Sequence, residues 1–176
     1  MTTTCLEPIP VLDALIAGLG VTRQGLDAKC EGALRAVGGR AAQYLSAVAQ
    51  SSSRRRKRVE TLAASISASQ VPRPDALLLC HEALLLAATA QTSEDNPSLV
   101  YALTLLGPTI VNELVRVAIV NRKKPLQCLR ALEMIEHLGG VSVGGGQFEV
   151  ALLMRSESPA VRELAAKLFC RPRPNP

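Results

Sequence analysis

Apolar residues along this chain fall three and four positions apart, and short polar, Gly- or Pro-containing breaks separate the runs. The spacing predicts about ten helices. Val11, Leu12, Leu15, Ile16 and Leu19 share one face of a first helix over residues 9–19, ended by Gly18 and Gly20. A second, with Asp27 as N-cap, carries Cys30, Ala33, Leu34 and Val37 and stops at Gly38-Gly39. A third covers 40–50, Ser51-Ser52-Ser53 make a turn, and a fourth runs from the basic cluster to about Ser69. Pro72 and Pro74 precede a fifth over 75–90, and Thr92 to Pro97 form the turn into a sixth that ends at Gly107-Pro108. The seventh covers 109–120. Asn121 to Pro125 turn into an eighth with Leu126, Leu129, Leu132, Ile135 and Leu138 on its apolar face. Gly139 to Gly146 read as a flexible connection to a ninth over 147–154, and Ser158-Pro159 open the tenth. Val141-Ser142-Val143 is too short and too flanked by Gly for a strand. The expectation is all-α, one domain over residues 1–171, with a disordered tail at 172–176.

The pattern repeats. Ala33-Leu34-Arg35-Ala36-Val37-Gly38 and Ala102-Leu103-Thr104-Leu105-Leu106-Gly107 stand 69 positions apart, as do Leu45 and Leu114, Arg54 and Lys123, Leu62 and Ala131, and Ile66 and Ile135. That period is twice a helical-hairpin repeat of roughly 34 residues. The turns alternate in kind: tight and Gly-based before the third and seventh helices, longer and polar before the fourth, sixth, eighth and tenth. In a stack of hairpins alternate turns lie on opposite edges. Arg54–Arg58, Glu94-Asp95, Arg122–Lys124 and Arg155–Ser158 are therefore expected along one edge.

Ser158-Pro159-Ala160-Val161-Arg162-Glu163-Leu164-Ala165-Ala166-Lys167-Leu168 resembles a HEAT-type repeat, whose second helix opens with a turn followed by Pro-x-Val-Arg and then Ala and Leu at helical spacing. Asn96-Pro97 and Lys124-Pro125 open helices at matching places. The Ala-Leu-x-x-Val-Gly and Ala-Leu-x-x-Leu-Gly endings are similar to those of bacterial HEAT-like and phycobilisome-lyase-like repeats. The family's helix-opening Arg stands only at Arg162; Cys128 takes the aligned place in the eighth helix. An armadillo-like or irregular helical stack stays open beside this reading. The resemblance implies a short right-handed α-solenoid of about five stacked antiparallel helix pairs that docks protein partners, usually on its concave face.

Composition narrows the classes. With 48% hydrophobic and 20% charged residues the chain is a folded one. Aromatics are 2%, so Ala, Leu, Val and Ile must fill the core, and small side chains suit close helix packing. No apolar run reaches bilayer length, and the first residues lack the basic-then-apolar order of a secretory leader. The five cysteines are scattered, without C-x-x-C spacing, and Cys30, Cys80 and Cys128 fall in apolar helical patterns as small hydrophobes. No disulfide framework, metal site or cofactor is expected, and the location is expected to be cytoplasmic.

The net charge of +5 is concentrated in Arg54, Arg55, Arg56, Lys57 and Arg58. With Arg122, Lys123 and Lys124 on the same edge, these residues would form a basic surface for a polyanion or an acidic partner. Both clusters fall at helix N-termini, where a bound anion would relieve their conflict with the macrodipole. Glu94-Asp95 interrupts the stripe, and no aromatics interleave for base stacking. Gln127, Arg130, Glu133 and His137 on the eighth helix would face the inner surface of a stack. Leu132→Ala should then cost about 2–5 kcal/mol and Arg130→Ala little. For catalysis the chain offers only His81, within an apolar run, and His137, at a helix end; Tyr44, Tyr101, Phe148 and Phe169 are too few to wall a base-flipping pocket. The sequence thus points to a non-enzymatic adaptor for an unidentified protein partner, with nucleic-acid binding through the basic edge as the alternative.

Overall fold

Every regular element among the described residues of the computed structural model is helical. The description covers residues 9–51, 56–67, 69–107, 109–140 and 146–170. The order is α1 (Ile9–Gly18), a 3-10 turn (Arg23–Gly25), α2 (Leu26–Val37), α3 (Gly39–Ser51), α4 (Arg56–Ser65), α5 (Ala76–Ala90), α6 (Ser98–Leu105), α7 (Ile110–Val120), α8 (Pro125–His137), α9 (Gln147–Leu153) and α10 (Pro159–Phe169). The Val141-Ser142-Val143 triplet, most of the Ser51–Ser53 turn, Arg54, Arg55 and the tail from residue 172 lie outside the described residues. By internal packing the chain divides into two compact units, Met1–Ala87 and Ala88–Pro176.

In the first unit α1 packs on α2, α2 on α3 and α3 on α4. Leu15, Leu19, Leu26, Leu34 and Leu45 are fully buried there. Gly18 lets α1 and α2 approach: a Cβ on it would overlap Cys30 Sγ. The segment after α4 crosses the α2–α3 corner and is tied to it by backbone. Gly39 N–H donates to the Gln70 carbonyl at 2.9 Å, and Arg73 N–H to the Ala36 carbonyl at 2.8 Å.

In the second unit α7 packs on α8 and α9, and α10 on α8 and α9. Leu99, Leu103, Leu114, Leu132, Met134 and Ile135 are fully buried. Proline occupies the first turn of both α8 and α10, where its missing N–H costs nothing. Lys167 Nζ reaches Glu136 Oε1 at 2.5 Å and ties α10 to α8. Arg162 Nη1 donates to the Ser156 and Glu157 carbonyls at 2.8 and 3.0 Å, fixing the turn that precedes α10.

The 69-residue period recurs in burial. Cys30 and Leu99, Leu34 and Leu103, Leu45 and Leu114, Val59 and Cys128, and Ile66 and Ile135 are all buried. Gly38 and Gly107 both take positive φ, +77° and +92°.

Three local expectations are corrected. Asp27 does not cap α2: Gly25, at φ +74°, precedes the helix, and Asp27 sits in its first turn, where Oδ1 accepts from Gly20 N–H at 2.7 Å. Helix α4 stops at Ser65, well before Ser69, where Ile66 N–H turns to the Ala63 carbonyl. The chain needs those residues to return over the α2–α3 corner. The buried stripe of α8 is Cys128, Arg130, Ala131, Leu132, Met134 and Ile135; Leu126 is 57% exposed. Packing of α8 by both α7 and α10 broadens that stripe beyond the expected leucines.

Candidate functional site

Of the first basic run, the described side chains are those of Lys57 and Arg58. Arg56 opens α4 and Lys57 is exposed. Arg58 is committed to the fold: Nη2 donates to Asp27 Oδ2 at 2.9 Å and to Glu31 Oε2 at 2.6 Å, joining α4 to α2. Its guanidinium is thus paired with two carboxylates within the first unit, although its side chain stays 45% exposed.

The second run is different. Arg122, Lys123 and Lys124 lie in the α7–α8 turn, and all three are exposed. Arg122 and Lys123 line a cleft of about 650 Å³, together with Arg155 from the α9–α10 turn. Its apolar floor is Ile119 at the end of α7, Pro125 at the start of α8, and Leu152 and Leu153 at the end of α9. Ser156, Glu157 and Ser158 complete the wall. Within the second unit, then, two of the polar turns expected on a common edge do share one surface.

Among the described residues none of the three lining cations forms an ion pair. By contrast, Lys29, Arg35, Arg58, Arg73 and Lys167 all meet carboxylates. The floor is also open: Leu152 is 64% exposed, whereas its neighbour Leu153 is 2% exposed. Phe148, one turn earlier on the same face of α9, is 88% exposed and extends the apolar strip.

The α8 side chains expected on one inner surface differ in burial. Gln127 and Glu133 are half-buried and His137 is exposed, with Nε2 3.3 Å from Ser93 Oγ. Arg130 is buried and donates from Nη1 to the Ala90 carbonyl, so its assignment to a binding face is corrected. Arg155 and Leu152 are site residues that the sequence did not single out. Arg155 falls in a turn expected on the edge, but nothing in Leu152-Leu153 says which leucine faces outward.

Cys30, Cys80 and Cys128 are buried in the helix packing. Burial, with the Asp27 charge second, pushes Cys30 from 9.0 up to about 12, and burial pushes Cys128 to about 11. Partial burial and the hydrogen bond donated to Asp13 Oδ1 at 2.6 Å raise the Tyr44 phenol from 10.0 to about 12. In each the proton is held more tightly in the folded state. The unfolded chain releases it at lower pH, so stability must fall as pH rises through 9. By pH 10 each buried thiol should account for about 1 kcal/mol of lost stability. Urea titrations between pH 8 and pH 10 check this: Cys30→Ala should flatten the pH slope even while lowering the stability itself.

Among the described residues no group of three His, Cys, Asp or Glu side chains could hold a metal ion. No single helix there is long and apolar enough to cross a membrane. Compared with known proteins, the chain matches no protein-family model, no curated protein and no solved structure.

Proposed function

We propose that the chain is a non-catalytic, HEAT-like helical scaffold that docks a protein partner, and that the docking site is the cleft between the α7–α8 and α9–α10 turns. The cleft itself carries the reading: cations from two separate turns, unpaired among the described residues, stand around an exposed aliphatic floor. Protein interfaces combine an apolar centre with a polar rim in this way. The recurrence of buried positions at 69 residues supports a repeat architecture, and repeats of this kind build binding surfaces. A cytoplasmic adaptor is the role this reading implies.

The polyanion alternative draws on the same cations but fits the surroundings less well. Arg58 is paired with Asp27 and Glu31, Glu157 stands in the cleft wall, and the floor is aliphatic. A site-specific photocrosslinker at Leu152 tests the proposal in cells. One discrete protein adduct is expected, absent when the crosslinker is moved to the exposed Glu163 and lost with Arg122→Glu/Arg155→Glu. An adduct to nucleic acid, or no adduct, would overturn it.

A further inference from the structure

We infer that the cleft accepts a short acidic segment of a partner protein in which one large apolar side chain is flanked by carboxylates. This rests on the docking reading and specifies its chemistry. Arg122 and Lys123 stand on one turn and Arg155 on the other, with Leu152 and Pro125 on the floor. An apolar side chain on that floor would cover Leu152, at about 25 cal/mol per Å² of apolar area removed from water. Carboxylates on either side of it would then meet cations on both turns.

The backbone favours the same ligand. Helices α8 and α10 both begin beside the cleft, at Pro125 and after Ser158, and neither has an acidic residue in its first turn. Helices α2, α7 and α9 each carry one there: Asp27, Glu113 and Glu149. The positive ends of α8 and α10, like those of α1, α3, α4, α5 and α6, thus lack an acidic residue of their own, and beside the cleft a partner's carboxylates would provide one.

A nucleic acid is the poorer occupant. None of the residues lining the cleft is aromatic, Phe148 standing on α9 beyond that lining, and Glu157 would repel a phosphate chain running through the wall. For a peptide the same glutamate is tolerable, because single carboxylates can be spaced around it.

The test uses the full chain and a fluorescein-labelled peptide with Leu-Phe at its centre and Glu-Asp pairs on both sides. Saturable binding is expected by anisotropy. Replacing the acids by their amides, or Leu-Phe by Ser-Ser, should each weaken it at least about tenfold. Arg155→Glu and Leu152→Asp in the protein, both checked for retained helicity, should weaken it comparably. Indifference to the Ser-Ser replacement, or displacement of the peptide by a single-stranded oligonucleotide of equal charge, would overturn the inference in favour of a polyanion site. Failure of the peptide to bind would also overturn it. In that case a surviving Leu152 protein crosslink would show that docking holds with a partner of different chemistry, and loss of both would remove the docking reading as well.

Discussion

Gly38→Ala should destabilise the chain by about 4 kcal/mol, with strain and steric overlap both contributing. Gly38 ends α2 at φ +77° and ψ −140°, a region open almost only to glycine. An added Cβ would lie 2.7 Å from the Gln70 carbonyl oxygen and 3.3 Å from that of Val71. Neither is the movable tip of a side chain. The Gln70 carbonyl accepts from Gly39 N–H, and Arg73 N–H is bonded to Ala36, so displacing the segment breaks backbone hydrogen bonds worth about 1 kcal/mol each. Gly107, 69 positions later, provides the control. It has φ +92°, but among the described residues nothing would lie within 4 Å of a Cβ added there, so Gly107→Ala should show the conformational penalty alone, about 1–2 kcal/mol. Denaturant midpoints of the two variants measure the difference. Equal losses would mean that the α2–α3 corner is not held closed by the crossing segment.

The same pair shows what the sequence could and could not reveal. That both positions are glycine, 69 apart and at the ends of helices, is visible in the letters. Why one tolerates a methyl group and the other does not depends on where residues 70–73 return, a contact that no local pattern encodes. Helix existence was legible because apolar spacing and Pro or Gly breaks are local: Pro125 and Pro159 open α8 and α10 where expected. Facing was less legible. In α8 an alternative set of apolar positions, Cys128, Ala131 and Met134, competes with Leu126 and Leu129, and packing from both α7 and α10 decided between them. The cationic turn at Arg122–Lys124 was legible as charge. The contrast between its lining cations and Arg58, captured by Asp27 and Glu31, was not, because pairing depends on which helices become neighbours. Half of the cleft floor stayed hidden for a related reason: Leu152 and Leu153 are chemically the same, and only the packing of α9 separates them.

Arg130→Ala should cost about 3 kcal/mol, as much as the cavity left by Leu132→Ala on the same helix and far more than an arginine among polar neighbours suggests. Arg130 is only 9% exposed, and Nη1 donates to the carbonyl of Ala90, the last residue of α5. Helix C-terminal carbonyls lack intrahelical partners, and a cation there also meets the negative end of the macrodipole. Truncation removes a charge-assisted hydrogen bond of about 1.5–3 kcal/mol together with the packing of the arginine stem. Arg130→Met separates the two, since it keeps the stem and drops the charge. The buried Nε of Arg130 has no hydrogen-bond partner among the described residues, so removing the guanidinium also relieves a desolvation cost, and Met should recover roughly half of the loss. Urea denaturation of the three variants measures this; a cost below about 0.5 kcal/mol for Arg130→Ala would return the residue to the solvent-facing set. The result also bears on the binding site. If Arg130 is spent on α5, Arg130→Ala should lower stability yet leave peptide affinity unchanged at temperatures where the variant is folded. Arg155→Glu should do the reverse, because a cation on the cleft wall supports a partner rather than the core.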